Sequence, residues 1–180
     1  MTTLYTIGHS NHSLEDFLQL LQTYEIQLLA DIRTVPRSRH VPWFNSPELK
    51  KSLKKIKIHY LHLAKLGGLR HPLKDSINVG WRNAAFRGYA DYMQTTEFFA
   101  ALKELNGYVK QSRTAIMCAE AVPWRCHRSL LSDAEVIRGI KVIDIISVHS
   151  TRLHSLTSFA IVDRSTRPIK IYYPQENALF

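Results

Sequence analysis

Ala115-Ile116-Met117-Cys118-Ala119-Glu120-Ala121-Val122-Pro123-Trp124-Arg125-Cys126-His127-Arg128 joins a short apolar run to a dense group of reactive side chains. Ala115 to Met117, with Arg113 before and Glu120 after, reads as a buried strand, and Pro123 stops its ladder from continuing. Leu130, Ala134 and Ile137 then recur at helical spacing. The pattern therefore predicts a strand, a polar loop and a helix, with Cys126, His127 and Arg128 in the first helical turn. Free N–H groups and the positive end of the helix dipole favour anions there and lower a thiol pKa, so Cys126 is the expected thiolate.

The same unit recurs on either side. Leu4 to Ile7 is a short strand followed by Gly8-His9-Ser10-Asn11-His12, and Ser13 caps a helix carrying Leu14, Phe17, Leu18 and Leu21, with Asp16 near the reciprocal capping position. Leu28 to Ile32 is a second strand that runs into a basic, aromatic loop from Arg33 to Phe44. Ser46-Pro47-Glu48 opens a lysine-rich helix, and Ile56 to Leu61 supplies a third strand. Residues at about 62–94 form an irregular basic insertion, with turns at Gly67-Gly68 and His71-Pro72 and a helical stretch from Ala84 to Met93. A helix over Thr96 to Gln111 precedes the Ala115 strand, and a further strand spans Lys141 to Ile146. Phe159 to Val162 and Ile169 to Tyr173 predict a C-terminal β-hairpin at about 158–173. The alternation predicts a three-layer α/β domain over residues 1–180, with a mostly parallel sheet and helices on both faces.

A chain of 180 residues with 45% hydrophobic content can build one core without a second domain. The two cysteines make no disulfide framework and fit a reducing compartment. No leader-like start and no run of eighteen apolar residues is present, so the expectation is a cytoplasmic protein without a membrane partner. The net charge is +9, and its distribution says more than its size. Residues 33–87 hold thirteen basic side chains against Glu48 and Asp75, while the rest of the chain has eleven basic and thirteen acidic residues. A polyanionic partner, a nucleic acid or nucleotide, follows from that clustering; a solvated face with helix-terminal lysines is the alternative.

In open α/β sheets ligands bind beyond the carboxyl ends of the strands, where strand order reverses. If the first and fourth strands are neighbours, their loops bring His9, Ser10, Cys118, Glu120, Cys126 and His127 around one crevice. His9, Glu120, Cys118, Cys126 and His127 are the candidate catalytic groups, as nucleophiles or as acids and bases. Ser10, Asp31, Arg33, Arg37, Arg87, Arg125 and Arg128 are the candidate substrate-binding groups, because guanidinium clamps phosphate through paired hydrogen bonds. Each also has a structural reading: a packed cysteine, an Asp31–Arg33 pair, a loop serine bonding its own backbone. Trp43, Phe44, Trp81 and Trp124 either stack bases or fill the core.

Several chemistries are disfavoured. The loop after the first strand has one glycine, not a dinucleotide fingerprint, and no P-loop lysine motif occurs. A cysteine-phosphatase loop needs arginine six residues after its cysteine, where Trp124 stands. No CxxC pair exists, so no cofactor is assigned, and a zinc ion on Cys118, Cys126 and His127 is a lesser alternative, with a redox disulfide below it.

Several segments together closely resemble the domain of unknown function 488 family: Thr6-Ile7-Gly8-His9-Ser10-Asn11, Asp31-Ile32-Arg33 with Pro36 and Ser38, Leu66-Gly67-Gly68, Phe86-Arg87-Gly88-Tyr89-Ala90-Asp91-Tyr92-Met93, and Met117-Cys118-Ala119-Glu120 through Cys126-His127-Arg128. The resemblance spans roughly residues 4 to 155 and implies a Rossmann-like α/β domain, with no reaction attached. One departure is Asp144, where the family usually has histidine, although His154 matches a later one. Three functions remain open from sequence: an enzyme or enzyme-derived protein handling a nucleic acid or nucleotide, a non-catalytic nucleic-acid-binding module, and an enzyme on a small anionic metabolite.

Overall fold

The computed structural model describes residues 2–175. In chain order the elements are β1 (Thr3–Gly8), α1 (Leu14–Thr23), β2 (Leu28–Asp31), α2 (Ser46–Lys55), β3 (His59–His62), α3 (Ala84–Tyr92), α4 (Thr96–Val109), β4 (Thr114–Cys118), α5 (Arg128–Val136), β5 (Lys141–Ser147), β6 (Ser150–Leu153), β7 (Ile161–Asp163) and β8 (Lys170–Tyr172). Six strands form one sheet in the order β3-β2-β4-β1-β5-β6. All neighbours are parallel except β6, which runs antiparallel to β5. β7 and β8 pair separately as an antiparallel hairpin. The α/β class, the mostly parallel sheet and the C-terminal hairpin are those the alternation predicts.

Strands covered on both faces read as continuous apolar runs, and each face packs its own core. Leu4, Ala30, Ile116 and Val142 face a core completed by α3, α4, α5 and the hairpin. Tyr5, Ile7, Leu29, Ala115 and Met117 face the opposite core, with α1, α2 and Phe44. Local signals place the ends of these elements. Ser13 Oγ accepts the Asp16 N–H at 3.1 Å and starts α1, and Thr95 does the same for Phe98 at the start of α4. The insertion is organised by Asp91, whose carboxylate accepts from Leu73 N, Ser76 Oγ and Asn78 Nδ2.

The clearest departures from expectation are one strand boundary and one whole strand. The third strand begins at His59 rather than Ile56, because Ile56 closes α2 and Lys57 takes φ +62, a left-handed turn that redirects the chain. β6 has no predicted counterpart: all four of its residues are exposed, so no buried face imprints alternation on the sequence, and backbone pairing with β5 alone defines it. No helix of the described residues is long and apolar enough to cross a membrane.

The connections fix where a ligand can sit. From β1 the chain leaves through α1 on one face toward β2; from β4 it leaves through α5 on the other face toward β5. The carboxyl ends of β1 and β4 are therefore the switch point of the sheet.

Glu135 on α5 is fully buried, and burial pushes its carboxyl up to about 7 despite a hydrogen bond from Asn106 Nδ2. The folded pKa lies above the unfolded one, so this carboxyl favours the fold below about pH 4.5 and loses that contribution as pH rises through about 7. Glu135→Gln is expected to leave stability near wild type at pH 4.5 and raise it at pH 8 by on the order of 2–3 kcal/mol, read from denaturant unfolding. A parallel pH dependence in both proteins would contradict this.

Candidate functional site

The site is assembled by close contact between two loops. β1 and β4 pair from Leu4↔Thr114 to Gly8↔Cys118, and the ladder continues past both strands: His9 N donates to Cys118 O at 3.0 Å, and Ser10 N to Ala119 O at 2.9 Å. Gly8 permits this approach, since a Cβ there would stand 1.9 Å from Glu120 O. Arg128, buried on α5, donates from its guanidinium to Glu120 O and Ala121 O and so ties the loop after β4 to the helix.

Cys126 and His127 do not lie in the first turn of α5, as the apolar spacing predicts. Pro123 opens a 3-10 turn through Arg125, Cys126 leaves it extended (φ −135, ψ 149), His127 caps α5, and only Arg128 of the three is helical. The helix start still converges on Cys126: Ser129 N donates to its carbonyl at 3.0 Å, and Arg128 N to its Sγ at 3.5 Å. His127 Nδ1 lies 3.6 Å from Cys126 Sγ and 3.9 Å from Cys118 Sγ. A thiol hydrogen bond from Cys118 holds Cys126 well below the usual thiol range, against the effect of burial and with help from the Arg128 charge. The same bond, with burial, pushes Cys118 up.

These groups line a cavity of about 440 Å³. Eight of the sequence candidates meet in its wall: His9, Arg33, Arg37, Cys118, Glu120, Arg125, Cys126 and His127. Four do not. Asp31 is fully buried in an ion pair with Arg33 (2.6 Å) and accepts from Tyr60 OH at 2.7 Å. Arg128 is committed to the loop carbonyls, Ser10 turns away at φ +44 and bonds Asn11, and Arg87 is half-buried on α3.

His9 is held rather than free. Arg33 Nη1, always a donor, reaches its Nε2 at 3.2 Å, so Nδ1 carries the proton and donates to Ser10 O at 2.9 Å. Burial, together with the Arg33 and Arg128 charges, lowers its pKa to about 4. Phe44 stacks on its ring at 4.4 Å between centroids. Arg33 stays charged: burial works against it, and the Asp31 carboxylate more than offsets that cost. Of the four aromatic candidates, Phe44 is core, Trp43 donates to His12 O, Trp81 packs on Phe86 and Phe159, and Trp124 is exposed beneath Arg152.

Sequence reasoning missed the apolar and backbone parts of the wall, among them Val35, Gly68, Leu69 and Phe86. Gly68 had a signal, the Gly67-Gly68 pair, read only as a turn. Its second role is contact: a Cβ at Gly68 would fall 2.4 Å from His127 Nδ1, so the backbone lies close against the imidazole.

The family model described as Domain of unknown function DUF488 matches residues 13–135, and the chain belongs to that family. No curated protein and no solved structure matches it.

Removing Asp31 leaves a buried guanidinium unpaired, so Asp31→Ala is expected to destabilise the fold by about 3–5 kcal/mol in denaturant unfolding. A loss below about 1 kcal/mol, the range of exposed pairs, would mean that the pair does not hold the site.

Proposed function

We propose that this member of the DUF488 family is an enzyme whose cavity binds a nucleotide, free or within a nucleic acid strand, and presents it to Cys118, Cys126 and His127. The observation that carries this reading is the meeting of two thiols and an imidazole in the wall of one cavity at the switch point of the sheet, beside Arg37 and Arg125. Pockets of roughly 300–1,000 Å³ hold small-molecule ligands, and about 440 Å³ lies within that range. Val35, Leu69 and Phe86 offer an apolar surface to a base, while Arg37 and Arg125 are exposed cations without an ion-pair partner among the described residues.

The basic surplus of residues 33–87 is scattered over the surface and does not gather at the cavity. Arg33 is tied to Asp31, Arg70 lies over the Tyr92 ring, and Lys50, Lys51, Lys54 and Lys55 are exposed on α2. Only Arg33 and Arg37 of that segment's cations line the cavity, which favours recognition of one nucleotide's phosphate over a broad electrostatic groove. Glu120, exposed on the cavity wall, is the carboxylate available for proton transfer. Two free thiols this close suit a reducing compartment, and we infer that the protein works in the cytoplasm.

Charge-assisted hydrogen bonds contribute about 1.5–3 kcal/mol each, so Arg37→Ala and Arg125→Ala are each expected to weaken binding of the four 5′-mononucleotides by about tenfold or more in titration calorimetry. Circular dichroism should report an unchanged fold, since both side chains are exposed. Equal affinity in wild type and the double variant would overturn the proposal, as would binding of long duplexes alone.

A further inference from the structure

We propose that Cys118, Cys126 and His127 bind a zinc ion whose fourth coordination position opens into the cavity. The three ligand atoms lie within 4.8 Å of one another. A tetrahedral zinc with Zn–S of about 2.3 Å and Zn–N of about 2.0–2.1 Å separates sulfur from nitrogen by about 3.6 Å. His127 Nδ1 stands 3.6 Å from one sulfur and 3.9 Å from the other, so both sulfur–nitrogen separations are already close to those of that tetrahedron.

Orientation supports the same conclusion. His127 Nε2 lies 3.3 Å from Ile32 O, and a carbonyl only accepts, so in the neutral ring Nε2 carries the proton and the Nδ1 lone pair faces both sulfurs. A ligating imidazole donates its other ring N–H to just such an outer partner, which fixes its tautomer. Gly68 on one side and Tyr89, 5.0 Å between ring centroids, keep the ring from swinging away. Two sulfurs and one nitrogen thus direct lone pairs at a shared point. A single thiol proton satisfies one of those contacts; a cation satisfies all three.

Two soft thiolates with one imidazole select zinc over the hard cations, and three protein ligands beside an open position are the pattern of a catalytic rather than a structural site. The inference rests on the cavity's being an active site only for the role of that open position. There a zinc-bound water would hydrolyse a bond of the nucleotide. The water gives a proton to Glu120, its oxygen bonds the electrophilic atom, and the leaving group departs with the electron pair of the broken bond and that proton.

The test is metal binding by the full chain, which requires no substrate. The reduced protein, stripped by chelation, is titrated with zinc against a chromophoric chelator and separately with cobalt, whose thiolate charge-transfer absorption reports sulfur ligation. One zinc per chain is expected, with cobalt absorption from two thiolates and protection of both cysteines from iodoacetamide. Cys118→Ser, Cys126→Ser and His127→Gln should each weaken zinc by about 100-fold or more, and Gly68→Ala, which removes no donor, by about tenfold or more. Folded wild-type protein that takes up no stoichiometric zinc, or cobalt without thiolate absorption, overturns the proposal. Wild-type protein that takes up zinc but binds no mononucleotide would instead overturn the proposed function and leave this site standing.

Discussion

The carboxyl edge of the sheet depends on how closely the loop after β4 lies against the end of β1. Gly8 sits under Glu120 O with no room for a side chain, and the Arg128 guanidinium, itself 2.9 Å from where that Cβ would be, satisfies the Glu120 carbonyl. A buried carbonyl left without a donor costs about 1–3 kcal/mol, so a basic residue at the start of α5 offsets the tight approach that Gly8 allows. The loop then delivers Cys118 from the end of β4 and Cys126 from the edge of α5 into the same wall. Lengthening the distance at Gly8 would separate the two thiols.

Charged side chains at this edge fall into two groups. Asp31, Arg33, Tyr60 and His9 form a buried chain of hydrogen bonds that continues to Phe44 O and fixes the loops after β1 and β2. Breaking such a pair leaves a buried charge without compensation, so these residues hold geometry even where they touch the cavity. Arg37, Glu120 and Arg125 are exposed on the wall and lie outside that chain. The second group is open to the cavity, and the first fixes the loops beside it.

Much of this was legible in the sequence because burial writes periodicity. The order of strands and helices, the Ser13 cap and the hairpin all follow from apolar spacing and turn chemistry. The switch point was legible only conditionally: the sequence brings His9, Cys118 and Cys126 together if β1 and β4 are neighbours, and long-range pairing supplies that condition. The exposed β6, the left-handed Lys57 and the extended Cys126 carry no apolar period, so backbone conformation decided them. Gly68 was equally hidden, because a glycine that supports a ring and a glycine that makes a turn look alike in one sequence.

The direction of the His127 ring tests the account most directly, since the convergence of lone pairs on one point follows from it. A two-bond nitrogen–proton correlation spectrum of the imidazoles, assigned with His127→Gln and His9→Gln, reads which nitrogen carries each proton. The structure predicts that the neutral His127 ring carries its proton on Nε2, donated to Ile32 O, and that the neutral His9 ring carries its proton on Nδ1. Protonation of His127 on Nδ1, with Nε2 bare, would contradict it and remove both the metal site and the geometry on which the proposed chemistry stands.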